Sequence, residues 1–117
     1  MAGFAPGQIV LVDWRDALPK EPNKLRPAIV VEDGELFAPS YPNVILVPLS
    51  DDSDFAMADL SLVIEPSPEN GCLKRCYALS HCVTTNSMGR VTPTRSNILP
   101  EQLEIIRRQI LLAIGLE

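Results

Sequence analysis

The segment Glu21-Pro22-Asn23-Lys24-Leu25-Arg26-Pro27 lies between two runs that are typical of β-strands. The runs are GQIVLVDW at 7–14 and AIVV at 28–31. Pro27 fixes its own φ at about −65° and biases Arg26 towards extended geometry. The segment therefore holds one arginine rigidly at the start of a strand, next to a long polar loop over 15–26. Sites that bind phosphate are often built in this way.

The rest of the chain predicts one small, mainly β domain over residues 1–117. Eleven prolines and six glycines fit many turns and short strands. Apolar runs predict strands over 8–14, 28–32, 43–49, 60–64, 74–85 and 90–93. A helix is expected from Pro100 to Gly115, because apolar residues recur there at helical spacing. Its apolar face, formed by Leu103, Ile106, Ile110, Leu111 and Ile114, is predicted to pack on the core or on a second subunit.

Composition and charge narrow the function classes. A net charge of −5 has the wrong sign for a protein that coats nucleic acid nonspecifically, although it permits a local cationic site. It also suits a partner with a basic segment. No run of 18 apolar residues occurs, so no membrane span is expected. The first residues lack the basic start and apolar core of a signal peptide, which makes the cytoplasm the expected location.

Three cysteines, Cys72, Cys76 and Cys82, fit a reducing compartment better than a disulfide framework. The Cys-x3-Cys spacing is not a usual zinc pattern, although His81 adjoins Cys82. We therefore interpret the cysteines as small apolar packing residues and expect no metal site and no cofactor.

The order of these pieces resembles the PemK/MazF family of toxins from bacterial toxin–antitoxin pairs. The likeness rests on GQIVLVD at 7–13, on EPNKLRPAIVV at 21–31 and on VPLS at 47–50. It continues in LPEQL at 99–103 and in a helix that ends at 114–116.

The resemblance implies an SH3-like small β-barrel with a C-terminal helix, in a homodimer. It implies a metal-independent endoribonuclease that cuts single-stranded RNA at short sequences. It also implies a cognate antitoxin whose disordered tail occupies the RNA groove, and DNA binding by the toxin together with that antitoxin.

Two residues carry catalysis by this resemblance: the arginine that matches Arg26 and the hydroxyl residue that matches Ser50. Metal-free RNA cleavage uses the 2′-hydroxyl as nucleophile, and the forked donors of arginine fit the charged phosphate oxygens. Ser50 is placed to donate a hydrogen bond to a phosphoryl oxygen. The alternatives are an ordinary surface cation at Arg26 and a turn cap into Asp51 and Asp52 at Ser50.

His81 is a third candidate, as a general base. Many relatives carry an acidic residue, a glutamine, an arginine and a threonine on the matching strand, where this chain has Ser80, His81, Val83 and Thr84. His81 is the only histidine, and its unperturbed pKa suits proton transfer near neutrality. The slightly favoured alternative is a half-exposed strand histidine bonded to a neighbouring group.

RNA contact is expected from residues of the long loop and from a basic pair further along. Lysines hold phosphates, and an asparagine amide can read a base edge. The candidates are Lys20, Asn23, Lys24, Lys74, Arg75 and Thr84. A solvated loop and an ordinary charged surface are the corresponding structural interpretations.

Two functions of other classes stay open. A gyrase-inhibiting toxin that resembles the CcdB family would act through the C-terminal helix and would need no catalytic arginine. A non-catalytic, degenerate toxin-fold binding module would fit the altered segment at 80–83.

Overall fold

The structure, a computed structural model, describes residues 4–14 and 25–117. These residues form seven strands and one α-helix. The strands are β1 (Gln8–Asp13), β2 (Leu25–Val30), β3 (Asn43–Ser50), β4 (Ser61–Ile64), β5 (Cys76–Leu79), β6 (Thr84–Ser87) and β7 (Val91–Asn97), and they are followed by helix α1 (Pro100–Ala113). Short 3₁₀ turns occur at Ser53–Phe55, Ser80–Cys82 and Met88–Arg90. Within the described ranges, no helix combines the length and apolarity that crossing a membrane requires.

The strands form one antiparallel sheet in the order β4-β5-β3-β2-β1-β7, and β6 pairs with the first half of β3. β3 pairs with three strands, β2, β5 and β6. Its last residues pair with β5, Leu49 with Ala78 and Ser50 with Tyr77. Among the described strands no pairing joins β4 to β7, so the sheet is not closed. The predicted mainly β fold with a C-terminal helix is confirmed, and its sheet is open.

The central strands are buried on both faces, which explains their uninterrupted apolar sequences. Side chains alternate between faces along a strand. Ile9 therefore joins a cluster that includes Leu103 and Ile106 of α1, whereas Val10 and Val12 join a second cluster on the other face. The second cluster is covered by the partly buried Phe4, Trp14 and Met88.

Helix α1 begins and ends as the sequence predicts. The side-chain oxygen of Gln102 accepts a hydrogen bond of 2.8 Å from the Leu99 N–H, and Gly115 follows the last turn with φ +89°. Leu103 and Ile106 are buried and Ile110 packs against the core, so the first half of the apolar face is core. Leu111 and Ile114 are exposed.

The largest differences from the predicted strands are at 74–85, at the start of β2 and at the end of β7, which continues to Asn97. The predicted strand at 74–85 is two strands separated by the turn Ser80–Cys82. Ser80 is fully buried there: its N–H bonds to the Leu60 carbonyl at 3.1 Å, and its hydroxyl donates to Gln109 Oε1 at 2.7 Å. These hydrogen bonds to distant residues take the place of hydrogen bonds to a neighbouring strand. The strand is therefore interrupted at Ser80. β2 also begins earlier, at Leu25, so that Arg26 lies within a strand.

Candidate active site

A cavity of about 720 Å³ opens at one end of the sheet. Its wall is formed by β1, the start of β2, the end of β3, the loop that leads into β5, and β7. Trp14 and Leu25, on either side of residues 15–24, both line the cavity. Its polar side chains include Arg26, Ser50 and Lys74.

Strand pairing brings Arg26 and Ser50 to the same part of this cavity. Arg26 is exposed and pairs with Val12 of β1. β2 and β3 are antiparallel, with Ala28 opposite Pro48. Arg26 and Ser50 lie two residues beyond this pair on β2 and β3, and both line the cavity. The two predicted catalytic residues, 24 positions apart in sequence, therefore share one site.

Ser50 caps a turn and still lines the cavity. Its half-buried hydroxyl oxygen accepts a hydrogen bond of 3.1 Å from the Asp52 N–H. This is the turn cap considered from the sequence. Because a hydroxyl both accepts and donates, the bond leaves the Ser50 O–H able to donate to a bound group.

The basic pair Lys74 and Arg75 divides between two surfaces. Lys74 lines the cavity, and its Nζ lies 3.7 Å from Asp51 Oδ2 in an exposed ion pair, which is weakly held. Arg75 does not line it. Its Nε donates to Glu65 Oε2 at 2.9 Å, and this bond, with a smaller contribution from Tyr77, raises the pKa of Arg75 above its ordinary value. Of this basic pair, Lys74 therefore adds positive charge to the cavity and Arg75 does not.

The structure does not bring His81 or Thr84 to the cavity lining. His81 lies in the 3₁₀ turn Ser80–Cys82 rather than on a strand, half-buried, with Nδ1 3.4 Å from the Leu60 carbonyl oxygen. Thr84 begins β6, opposite Leu46. The expectation of a strand histidine at 81 is corrected, because the buried Ser80 turns the chain there.

The remaining predicted RNA-contact residues, Lys20, Asn23 and Lys24, lie outside the described residues. Their role stays a prediction.

Comparison with known proteins decides the family. Residues 5–114 match the model of PemK-like, MazF-like toxins of type II toxin–antitoxin systems. The chain belongs to this family. Among curated proteins, comparison of sequences finds no significant match.

Solved structures of PemK/MazF-like toxins share the fold. An endoribonuclease in complex with its cognate antitoxin, from a mycobacterial species, superposes with a TM-score of 0.74 at 16% identity, and the match covers 97% of both chains. The toxin MazF-mt6 of Mycobacterium tuberculosis gives 0.70 at 15% identity over 94% of this chain and 98% of its own. MazF of Deinococcus radiodurans gives 0.74 at 13% identity over 98% and 99%.

In this family member the cavity is largely apolar beyond its cationic side chains. Trp14 and Phe55 contribute aromatic rings to the lining, and Leu73 is 97% exposed. Trp14 also packs against the second core cluster, so the two interpretations of a lone tryptophan, packing and a contact face, apply together. An apolar wall beside positive charge suits a ligand that carries flat rings and phosphates.

Asp51, which directly follows Ser50, lines the wall of this toxin's cavity. Sequence reasoning missed, among others, Asn70, Cys72 and Cys76. They had no sequence signal, because a loop brings them in. Buried Asn70 shapes that loop: its Oδ1 accepts from the N–H groups of Ser67 at 3.0 Å and Cys72 at 2.9 Å, and its amide donates to the Glu65 carbonyl at 2.8 Å.

Within residues 4–14 and 25–117 of the toxin, no three His, Cys, Asp or Glu side chains are grouped so that they could hold a metal ion.

Proposed function

We propose that this toxin is a sequence-specific endoribonuclease that cleaves single-stranded RNA in the cytoplasm without a metal ion. One observation carries the proposal: Arg26 and Ser50 line one cavity in a member of the PemK/MazF-like toxin family. An arginine beside a hydroxyl is a donor arrangement suited to a phosphate group.

Cleavage would begin with attack of the 2′-hydroxyl on the adjacent phosphorus. Solvent water takes the proton of the attacking oxygen and supplies one to the leaving 5′-oxygen, which yields a 2′,3′-cyclic phosphate and a 5′-hydroxyl end. The guanidinium of Arg26 stabilises the charge that builds on the phosphoryl oxygens, because its two-pronged donors match them. The Ser50 hydroxyl donates to the same group, and Lys74 holds a neighbouring phosphate as a point charge.

His81 has no part in this proposal. Its ring lies outside the cavity lining and is within reach of the Leu60 carbonyl, so it is not placed to take the 2′-hydroxyl proton. We expect His81→Ala to retain RNA cleavage.

We further propose that the toxin is a homodimer and is inhibited by a cognate antitoxin. The mycobacterial endoribonuclease of the same fold is in complex with its antitoxin, which supports such a partner here. A disordered antitoxin tail that covers the apolar wall and the charged side chains of the cavity would compete with RNA for this site. The DNA binding expected of the joint complex would then depend on the antitoxin.

Substitution of Arg26 tests the activity. Purified wild-type protein, Arg26→Ala and the control Arg75→Ala are incubated with a long RNA in excess chelator, and the cleavage ends are mapped. Loss of one donor to a developing oxyanion typically lowers the rate by about 10²–10³-fold. We expect that loss for Arg26→Ala and none for Arg75→Ala, whose side chain pairs with Glu65 outside the cavity.

Other results select the alternatives. Full cleavage by Arg26→Ala would overturn the assigned mechanism. Absence of cleavage by the wild type, with inhibition of gyrase in a supercoiling assay, would identify a gyrase-directed toxin. Absence of both, with retained antitoxin binding, would identify a non-catalytic binding module.

A further inference from the structure

Two cysteines of the cavity wall lie together. Cys72 and Cys76 both line the cavity, and both pack against the main core cluster. Three residues, Leu73, Lys74 and Arg75, separate them along the loop into β5. Both are free thiols, and Cys72 is one of the neighbouring groups that raise the pKa of Cys76.

The loop that carries them is built to hold this arrangement. Buried Asn70 binds the Cys72 N–H, and the Cys76 thiol donates to the Lys74 carbonyl at 3.4 Å. Lys74 therefore lies inside the short chain segment whose ends are the two thiols, and its own side chain faces the cavity.

We propose that Cys72 and Cys76 are a modification site at which a small disulfide, such as oxidised glutathione, forms a reversible Cys72–Cys76 disulfide that lowers RNA cleavage. The effect on cleavage rests on the proposed ribonuclease function. Formation of the disulfide does not depend on that function.

The chemistry is two successive exchanges. The Cys72 thiolate attacks the oxidised glutathione, the sulfur–sulfur bond of the reagent breaks, and one glutathione leaves with a proton. The Cys76 thiolate then attacks the mixed disulfide at the Cys72 sulfur and releases the second glutathione. The protein loses two protons and two electrons, and both are gained by the glutathione.

The environment of Cys76 slows the reaction of its thiol at neutral pH. Burial, and then the neighbouring Cys72 and Asp51, raise the pKa of Cys76 from 9.0 to about 11, against a smaller lowering by Lys74. A protonated thiol reacts slowly, so Cys76 acts as the second, resolving thiol. In a reducing compartment such pairs close transiently, when the disulfide pool is oxidised.

Closure would change the cavity wall. A five-residue ring from Cys72 to Cys76 holds Lys74 and Leu73 in one geometry. The loop faces the end of β3 through the contact between Lys74 and Asp51, which follows Ser50. The closed ring from Cys72 to Cys76 cannot move aside when an RNA strand enters the cavity. We therefore expect the oxidised protein to cleave RNA several-fold more slowly.

The full chain is equilibrated with oxidised glutathione or with dithiothreitol, and its intact mass and peptide map are measured before RNA cleavage is assayed. We expect the oxidised protein to lose the mass of two hydrogens, to carry a Cys72–Cys76 linked peptide, and to regain full cleavage with dithiothreitol. The exposed Cys82 provides the control: Cys82→Ser should behave as wild type. Cys72→Ser, which lacks the attacking thiol, should cleave RNA equally in both conditions, whereas Cys76→Ser should stop at the mixed disulfide on Cys72.

A stable glutathione adduct at Cys72 with no internal disulfide would overturn the proposal, as would linkage that leaves cleavage unchanged. Because linkage is read by mass, a linked protein that cleaves RNA in neither state would count against the ribonuclease function alone.

Discussion

Gly71 is the residue whose backbone shapes the cavity wall. Its φ of +65° lies in the left-handed region, and a Cβ placed there would lie 2.7 Å from the Ser96 hydroxyl. We expect Gly71→Ala to lower the free energy of unfolding by about 1–2 kcal/mol, mainly through the backbone conformation. Denaturant unfolding measures the change.

Gly89→Ala is the matched control, since its φ is not positive and its added Cβ meets nothing closer than the Ser87 hydroxyl at 3.6 Å. Adding Ser96→Ala to Gly71→Ala removes the close oxygen and should restore only the steric part. An unchanged unfolding midpoint for Gly71→Ala would contradict the described backbone.

Cys76 should respond to pH in a way that follows from its surroundings. Its pKa of about 11 keeps the thiol protonated at neutral pH, and alkylation requires the thiolate. We therefore expect iodoacetamide to modify exposed Cys82 before Cys76 at pH 8, and the Cys76 rate to keep rising from pH 9 to 11. Peptide mass spectrometry resolves the sites. Modification of Cys76 that already levels off below pH 9 would argue against its burial beside Cys72.

At the scale of elements, Arg107 adds hydrogen bonds that dock helix α1 beside the end of β2. Arg107 donates from Nε to the Val31 carbonyl at 2.9 Å and from Nη2 to the Glu32 carbonyl at 2.8 Å. Hydrogen bonds to charged groups contribute about 1.5–3 kcal/mol. We expect Arg107→Met to lower the free energy of unfolding by that amount, measured by urea denaturation.

The adjacent Arg108 is the control, because it makes only an exposed helical pair with Glu104 at 3.2 Å. Arg108→Met should cost about 0.3–0.5 kcal/mol. Equal losses for the two variants would show that the carbonyl bonds of Arg107 do not dock the helix.

At the scale of the whole molecule, the proposed RNA binding by a chain of net charge −5 would depend on local positive charge. Affinity for single-stranded RNA falls with salt, with a logarithmic slope of about −0.7 per phosphate neutralised. We expect Lys74→Gln to reduce that slope by about 0.7 and Arg75→Gln to leave it unchanged, since only Lys74 lines the cavity. Anisotropy with a 2′-O-methyl oligonucleotide, which lacks the nucleophile, measures binding alone. Equal slopes for Lys74→Gln and wild type would place the RNA elsewhere.

Much of the fold was predictable because its signals are local. Local apolar patterns indicate which segments are buried: continuous runs at 8–14 and 43–49, and helical spacing after Pro100. The structure has two strands and a helix in these segments. The segment at 74–85 was not predictable, because the turn at Ser80 depends on bonds to Leu60 and Gln109, which are distant in sequence.

The sequence by itself determined the family, most of the strands, the C-terminal helix and the two residues, Arg26 and Ser50, on which the proposed chemistry depends. Only the tertiary structure decided which other side chains stand with them. It separated Lys74 from Arg75, left His81 outside the cavity lining, and brought Cys72 and Cys76 into the wall. The physical reason is that β-strand register and loop bonds, such as those of Asn70, set distances between residues far apart in the chain.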